Sequence, residues 1–558
     1  MQKPTVKEDK PTQHTHEDNG KPVVQKNQEK DDSFDIGGRQ FWYLKESSKG
    51  RGDNKETLET LTIDASAFLE WLTDHGFART MYEEKHVFVY RVNSKIFRKI
   101  DRQYIIQYVR EFISSMPETL PPYADDLYTP DHLMKLMVSQ HKTIYMDNFL
   151  YMLPQIEFSP CRDRRSITYL YYQNCFVKVT KNEISKLSYD KLPGYIWEDQ
   201  MLDRDFELLD EKETFKAEYA EFLTNACRSD QDRIKAMATA IGYMVNTYKD
   251  PARINSVVLV DEKISAGNSP EGRTGKGLFF KAISKTRNVV IVDGKNWSID
   301  KNFAFQRLNP GTDLLVFEDI PKKFAFERFH SILSEGMSVE KKGVPEYFLP
   351  YSDSPKVGFT TNFVFTATGA TNQARLVELE FSDFFRPEYT PYDHFGHTLF
   401  EDWSDQEWLR FDNYIICCVK LYFELDKLWT YKRVNLTTRK KLQHFPEEFL
   451  DFMEPDPDTK RQLIEPHIRY DESLLEFNKT QDRTHLYNMF KNHFMRIKNE
   501  KEFSSKRFYG CIRKFIELDP DFAELEEGKS NGIRWMMFKK LNKENTTSEP
   551  EDNDPVPF

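Results

Sequence analysis

Residues 271–280 read EGRTGKGLFF. A glycine-bearing turn closes in Gly275-Lys276 and runs directly into an apolar stretch. The usual phosphate-binding loop is written G-x-x-x-x-G-K-[ST]. Here Pro270 stands where that pattern has its first glycine, and Gly277 stands where it has Ser or Thr. By its own spelling the stretch is either a phosphate loop with two departures or a structural turn that contains a lysine.

Its neighbours inform the choice. NSVVLVDE (255–262) has the β-branched composition of a buried strand, and KGLFFKAISK (276–285) starts as a helix. A strand, a glycine loop and a helix N-terminus direct several backbone N–H groups at one point, where the helix dipole favours anions. Lys276 adds a charge that reaches β- and γ-phosphate oxygens. The expected nucleotide contacts are Gly272, Arg273, Thr274, Gly275, Lys276 and Gly277. Gly277 lacks the hydroxyl that normally binds Mg²⁺, so the metal would depend on phosphate oxygens, water and carboxylates elsewhere. Nucleotide monophosphate kinases also carry glycine after this lysine.

Further along, short β-branched runs alternate with helical segments: RNVVIVD (287–293), DLLVFED (313–319), KVGFTTN (356–362) and RLVELEF (375–381). Such alternation predicts βα units and a mostly parallel, buried sheet. Glu318 and Asp319 end one strand, where two carboxylates can hold Mg²⁺ and polarise an attacking water; the alternative is an ordinary charged loop. Asn362 ends another strand and can orient water beside a γ-phosphate. Arg375 follows a glycine-containing loop and precedes a strand, as an arginine finger requires.

A lysine loop, a strand ended by acids, a lysine-bearing hairpin and a strand closing in TTN, in that order, resemble a superfamily 3 helicase of the phage, plasmid and poxvirus primase-helicase type. The resemblance covers about 210–385. It implies an α/β P-loop (AAA+-like) ATPase that uses ATP and Mg²⁺, assembles as a homo-hexameric ring and moves on single-stranded DNA. Lys276 resembles the Walker A lysine, Glu318 and Asp319 the Walker B acids, Asn362 the sensor asparagine, and Arg375 the finger that acts on the neighbouring subunit. In EGMSVEKKGVPEYFLPYSDSPKVGFTTN (335–362), Lys341 and Lys342 lie at the expected hairpin tip and resemble the family's pore lysines. The bland alternative is a solvated turn.

The flanks divide the rest of the chain. Residues 1–38 and 541–558 are polar and should be disordered. Residues 39–205 mix strand-like runs (HVFVYRV, TIYMDNFLYML, SITYLYY) with a helical one (RQYIIQYVREFISSM), giving an α+β module without a chemical signature. The ATPase with its helical lead-in is expected over 206–400, the lead-in breaking near Arg228–Asp232. A helical and winged-helix-like domain is expected over 401–540. In it, Ser504 or Ser505 caps a helix carrying Lys506, Arg507, Arg513 and Lys514, suited to duplex DNA; the alternative is a helical subdomain packed on the ATPase. SDQEWLRFDNYIICCVKLYFELDKLW (404–429) reads as an amphipathic core helix.

The 558 residues carry a net charge of −11 and 30% charged side chains. That argues against coating nucleic acid along the whole surface and leaves room for a local basic groove. No apolar run approaches the roughly 18–20 residues that span a bilayer, and the N-terminus has no secretory core. We therefore expect a cytoplasmic protein. The resemblance further implies a bacterial host cell, a role in replication of a phage or mobile element, and a primase or other replication protein as a further partner. Six cysteines without a CxxC pair are read as reduced, mostly buried thiols. Asp125-Asp126 and His394/His397 are weak metal candidates, read as solvated acids and satisfied surface histidines. Two rival readings remain: a nucleotide-gated DNA-binding or loading scaffold with weak or absent ATPase, favoured by Gly277, and a small-molecule phosphotransferase.

Overall fold

The computed structural model describes residues 37–49, 56–82, 85–122, 128–262, 274–321, 324, 326–362, 375–431, 441, 445–453, 477–493, 503–519 and 523–539. Pro270, Gly272, Arg273, the Asp125-Asp126 pair and residues 1–36 and 541–558 lie outside these residues.

The N-terminal module begins with an antiparallel hairpin, β1 (Trp42–Lys49) and β2 (Glu56–Ile63). Helix α1 (Ala65–Asp74) follows, its first turn capped by the Asp64 carboxylate. Strands β3 (Phe77–Tyr82), β4 (Lys85–Arg91) and β5 (Ile96–Ile100) form an antiparallel meander. Helix α2 (Arg102–Ser114) and α3 (Pro130–Ser139) pack with α1 over Phe41, Phe68, Trp71 and Phe112. The run TIYMDNFLYML does not form a strand. It folds into two single turns, α4 (His141–Ile144) and α5 (Asp147–Leu150). Its buried residues are Ile144, Tyr145, Leu150 and Leu153, which do not alternate as the buried residues of a half-covered strand do.

Next come β6 (Ile167–Tyr171), β7 (Phe176–Thr180) and β8 (Ile184–Leu187), a three-stranded antiparallel sheet, and the short β9 (Ile196–Trp197), which pairs parallel with β5. Helices α6 (Glu211–Thr214), α7 (Glu218–Ala226) and α8 (Gln231–Val245) follow. The break between α7 and α8 passes through Arg228 and Ser229, both with positive φ. Leu170, Tyr172, Val177 and Val179 enter the same buried cluster as α7 and α8. The 167–187 sheet therefore packs with the central core, although the change of sequence texture places it in the N-terminal module.

The central sheet is built from β10 (Ser256–Asp261), β11 (Val289–Asp293), β12 (Leu314–Glu318), β15 (Lys356–Thr361) and β16 (Leu376–Phe381). Its order is β11-β12-β15-β10-β16, and every pairing is parallel. Every residue of β10 is buried. Val257 and Leu259 face one core, and Val258 and Val260 face the other. A strand covered on both faces explains the unbroken apolar runs. Helix α9 (Lys276–Ser284) follows β10. Helix α10 (His330–Ser334) leads into the hairpin β13 (Gly336–Lys341) and β14 (Val344–Pro350), which sits between β12 and β15 in the chain.

After the sheet, α11 (Pro391–Phe395) precedes α12 (Asp405–Leu425). Helix α12 lies along α8 in the central core. At their closest approach, a β-carbon on Gly242 would collide with the Cys418 carbonyl. Arg204 forks onto the fully buried Asp412 carboxylate at 2.7 Å, tying α12 to the chain before α6. By packing, 401–431 thus belongs with the parallel sheet, and the separate C-terminal module starts later. That module comprises α13 (Glu447–Met453), β17 (Thr480–Asp482), α14 (Arg483–His493), α15 (Ser505–Leu518), β18 (Glu524–Ser530) and β19 (Ile533–Lys539). It has its own core around Phe449, Phe490, Phe508 and Phe515. All six cysteines are free. No helix among the described residues is long and apolar enough to cross a membrane.

Candidate functional site

In an open parallel sheet, ligands bind outside the carboxyl ends of the strands, where neighbouring strands send their connections to opposite sides. Strand β10 lies at such a point. Its connection runs through α9 to β11 at one edge, whereas the chain that leaves its neighbour β15 returns as β16 at the opposite edge. The carboxyl ends of β10, β12 and β15 carry Asp261, Glu318 and Asn362.

Gly275 caps α9 with φ at +91°, a left-handed conformation that glycine adopts without strain. The Phe222 ring fills the place of any side chain there. The turn sends Lys276 inward. Its Nζ donates to Asp261 Oδ1 at 2.5 Å, to Asn362 Oδ1 at 2.8 Å and to Thr274 Oγ1 at 3.3 Å. Thr274 Oγ1 itself donates to Asp261 Oδ1 at 2.5 Å. Lys276, Asp261 and Thr274 are each 7–8% exposed. Lys276 and Asn362, nominated separately by sequence, therefore meet at one point. Asp261 was not nominated. Its signal is an acid ending a strand immediately before a lysine loop.

The two acids after β12 part company. A β-carbon on Gly277 would lie 3.6 Å from Glu318 Oε1, so Glu318 faces the start of α9. Burial, then the neighbouring Asp319 and Asp293 charges, push the Glu318 carboxyl above its usual range. Asp319 has φ at +53° and turns outward, where its carboxylate pairs with Lys295 at 3.0 Å. Thr360 holds this turn: its Oγ1 accepts from Asp319 N and its carbonyl from Ile320 N, both at 2.9 Å. Of the two acids, Glu318 faces the start of α9 and Asp319 faces away from it. Among the described residues no group of three or more His, Cys, Asp or Glu could hold a metal. One inward carboxylate still fits Mg²⁺, which is commonly bound through one or two carboxylates plus substrate phosphates and water. When bound there, the ion would neutralise phosphate charge.

Arg375 lies elsewhere. It precedes β16, and its carbonyl accepts from Ser256 N at 2.8 Å. That is the amino end of the sheet, across from Lys276. Its Nη1 is buried without a hydrogen-bond partner among the described residues.

The β13–β14 hairpin turns at Lys342-Gly343, with Lys341 paired to Val344 and Gly343 at φ +76°. Lys342 is exposed. Lys341 Nζ reaches Asn309 Oδ1 at 2.5 Å and lies 5.5 Å from the centre of the Tyr347 ring.

In the C-terminal module, Ser504 caps α15 by accepting from Arg507 N at 3.4 Å. Strands β18 and β19 form a hairpin turning at Asn531-Gly532, and β17 pairs with β19. Lys506, Arg507 and Lys514 are exposed on α15. Arg513 instead forks onto the Glu527 carboxylate of β18 at 2.9 and 3.0 Å, joining helix to hairpin. Gly510 sits on the same face with no atom within 4 Å of its missing β-carbon. His394 pairs with Glu221 and Tyr389, and His397 with Glu218.

No protein-family model and no curated protein matches the chain. Among solved structures it is similar to the A-form apo structure of the NrS-1 C-terminal region, at 10% identity and a TM-score of 0.35, over 84% of this chain and 98% of that one. A second A-form apo structure of that region, residues 305–718, gives 9% identity and a TM-score of 0.32 over the same shares.

Proposed function

We propose that the chain is an ATP-driven DNA helicase of superfamily 3 type, built on a P-loop core and serving replication of a phage or mobile element. The observation that carries this reading is the meeting of Lys276, Asn362 and Asp261 at the carboxyl ends of β10 and β15, with Glu318 facing the start of the same helix. A lysine at a helix N-terminus there receives β- and γ-phosphate oxygens. Asn362 orients the attacking water, and Glu318 supports Mg²⁺. Asp319 would have to leave Lys295 to act as a base. In this reading Arg375, at the amino end of the sheet, serves the ATP of a neighbouring subunit in a ring. The exposed Lys342 at the hairpin tip, with Lys341 behind it, takes single-stranded DNA, and Lys506, Arg507 and Lys514 take duplex phosphates.

Gly277 and the outward Asp319 favour a second reading, a nucleotide-gated DNA-binding or loading scaffold with feeble hydrolysis. Mg-ATP turnover with and without single-stranded DNA separates the two. The motor reading expects turnover that rises several-fold with DNA. ATP binding without turnover would transfer the case to the scaffold.

A further inference from the structure

Lysine has three donors and no acceptor. In this structure all three protons of Lys276 have a partner: Asp261, Asn362 and Thr274. The cation is thus fully engaged before any ligand arrives. One partner is a carboxylate, buried to 8% exposure and itself supported by the Thr274 hydroxyl. Its neighbour Glu262 points the other way, to Arg233 at 2.6 Å, as strand alternation requires. Among the described residues the ion pair with Lys276 is the one formed by the Asp261 carboxylate.

We propose that Asp261 is a latch on the nucleotide site: its carboxylate occupies the position on Lys276 that a phosphate oxygen must take, and loading requires its displacement. This rests on the nucleotide reading given above. A phosphate oxygen can reach the ammonium only if one acceptor withdraws. Thr274, the most distant, is the easiest to lose, but that leaves a buried carboxylate and an incoming polyphosphate sharing one cation. Like charges at that range repel strongly in a water-poor site. The carboxylate has to move, and the nucleotide must overcome its hold on the lysine. Asp261 is here a positioning residue, since it acts through Lys276.

The test is equilibrium binding of a fluorescent ADP without Mg²⁺ to the full chain and to Asp261→Asn. The amide keeps size and an acceptor but removes the charge. The latch predicts binding at least about tenfold tighter in the variant, a difference consistent with loss of a like charge near the phosphates. Asp261→Ser, which removes the charge without supplying an amide, must shift affinity in the same direction. A thermal melt shows that each variant is folded. Unchanged or weaker binding in both folded variants overturns the latch while leaving the nucleotide site standing. Absence of binding in the parent and both variants overturns the site and the latch together.

Discussion

The parallel sheet buries a lysine at each end, and the two are held in different ways. Lys276, at the carboxyl end, is gripped by side chains from β10, the loop and β15. Lys356, at the amino end of β15, is 3% exposed and donates to the carbonyls of Tyr243 and Asn246, each at 2.6 Å, beneath the Tyr243 ring at 3.8 Å. Those carbonyls close the C-terminus of α8, where a cation is favoured by the helix dipole. Burial drives the Lys356 ammonium well below its usual range. The neighbouring Lys249, held by Ser354 and Pro355, is pushed down to about 8 by the same cause. Backbone carbonyls cannot swing away without unwinding a helix, whereas carboxylate, amide and hydroxyl groups can turn on their own bonds. The amino end is therefore a fixed joint and the carboxyl end an exchangeable one.

That contrast can be broken by substitution. Lys356→Ala leaves a cavity and two unpaired carbonyls at the end of α8. We expect a loss of about 4 kcal/mol in denaturant unfolding, the sum of a core truncation and an unsatisfied polar pair. If stability holds, the lysine is not a joint, and the two ends differ less than their contacts imply. A smaller effect sharpens the carboxyl end. The space at Gly277 accepts a side chain facing Glu318. Under the proposed ATPase reading, Gly277→Ser supplies the hydroxyl that phosphate loops direct to Mg²⁺ and lowers the Mg²⁺ concentration for half-maximal turnover by about threefold. A higher requirement would show that this space serves another group.

Much of the sheet was legible in the sequence. Five β-branched runs became five parallel strands, because strands covered on both faces need continuous apolar runs. The helix after Gly275 and the Ser504 cap were readable from glycine and capping chemistry. Strand order was not, since it depends on which edge each crossover reaches. The paired acids Glu318 and Asp319 look equivalent in sequence, but one left-handed residue sends them apart. Asp261 reads as an ordinary acid at a strand end, and Lys356 as an ordinary strand lysine. Burial alone gives each its role, and burial follows from packing among segments far apart in the chain. The TIYMDNFLYML run was misread because its aromatic and β-branched residues mimic a strand, whereas the residues that pack inward, Ile144, Tyr145, Leu150 and Leu153, do not alternate.

The most direct test of the central claim is equilibrium binding of labelled Mg-ATP to the parent chain, to Lys276→Ala and to Lys356→Ala at a temperature where all three remain folded. The account predicts saturable binding by the parent and by Lys356→Ala, and loss of at least about a hundredfold in affinity or complete loss in Lys276→Ala, since its ammonium is the cation assigned to the phosphates. Equal binding by the parent and Lys276→Ala would contradict a nucleotide site at the carboxyl end of the sheet.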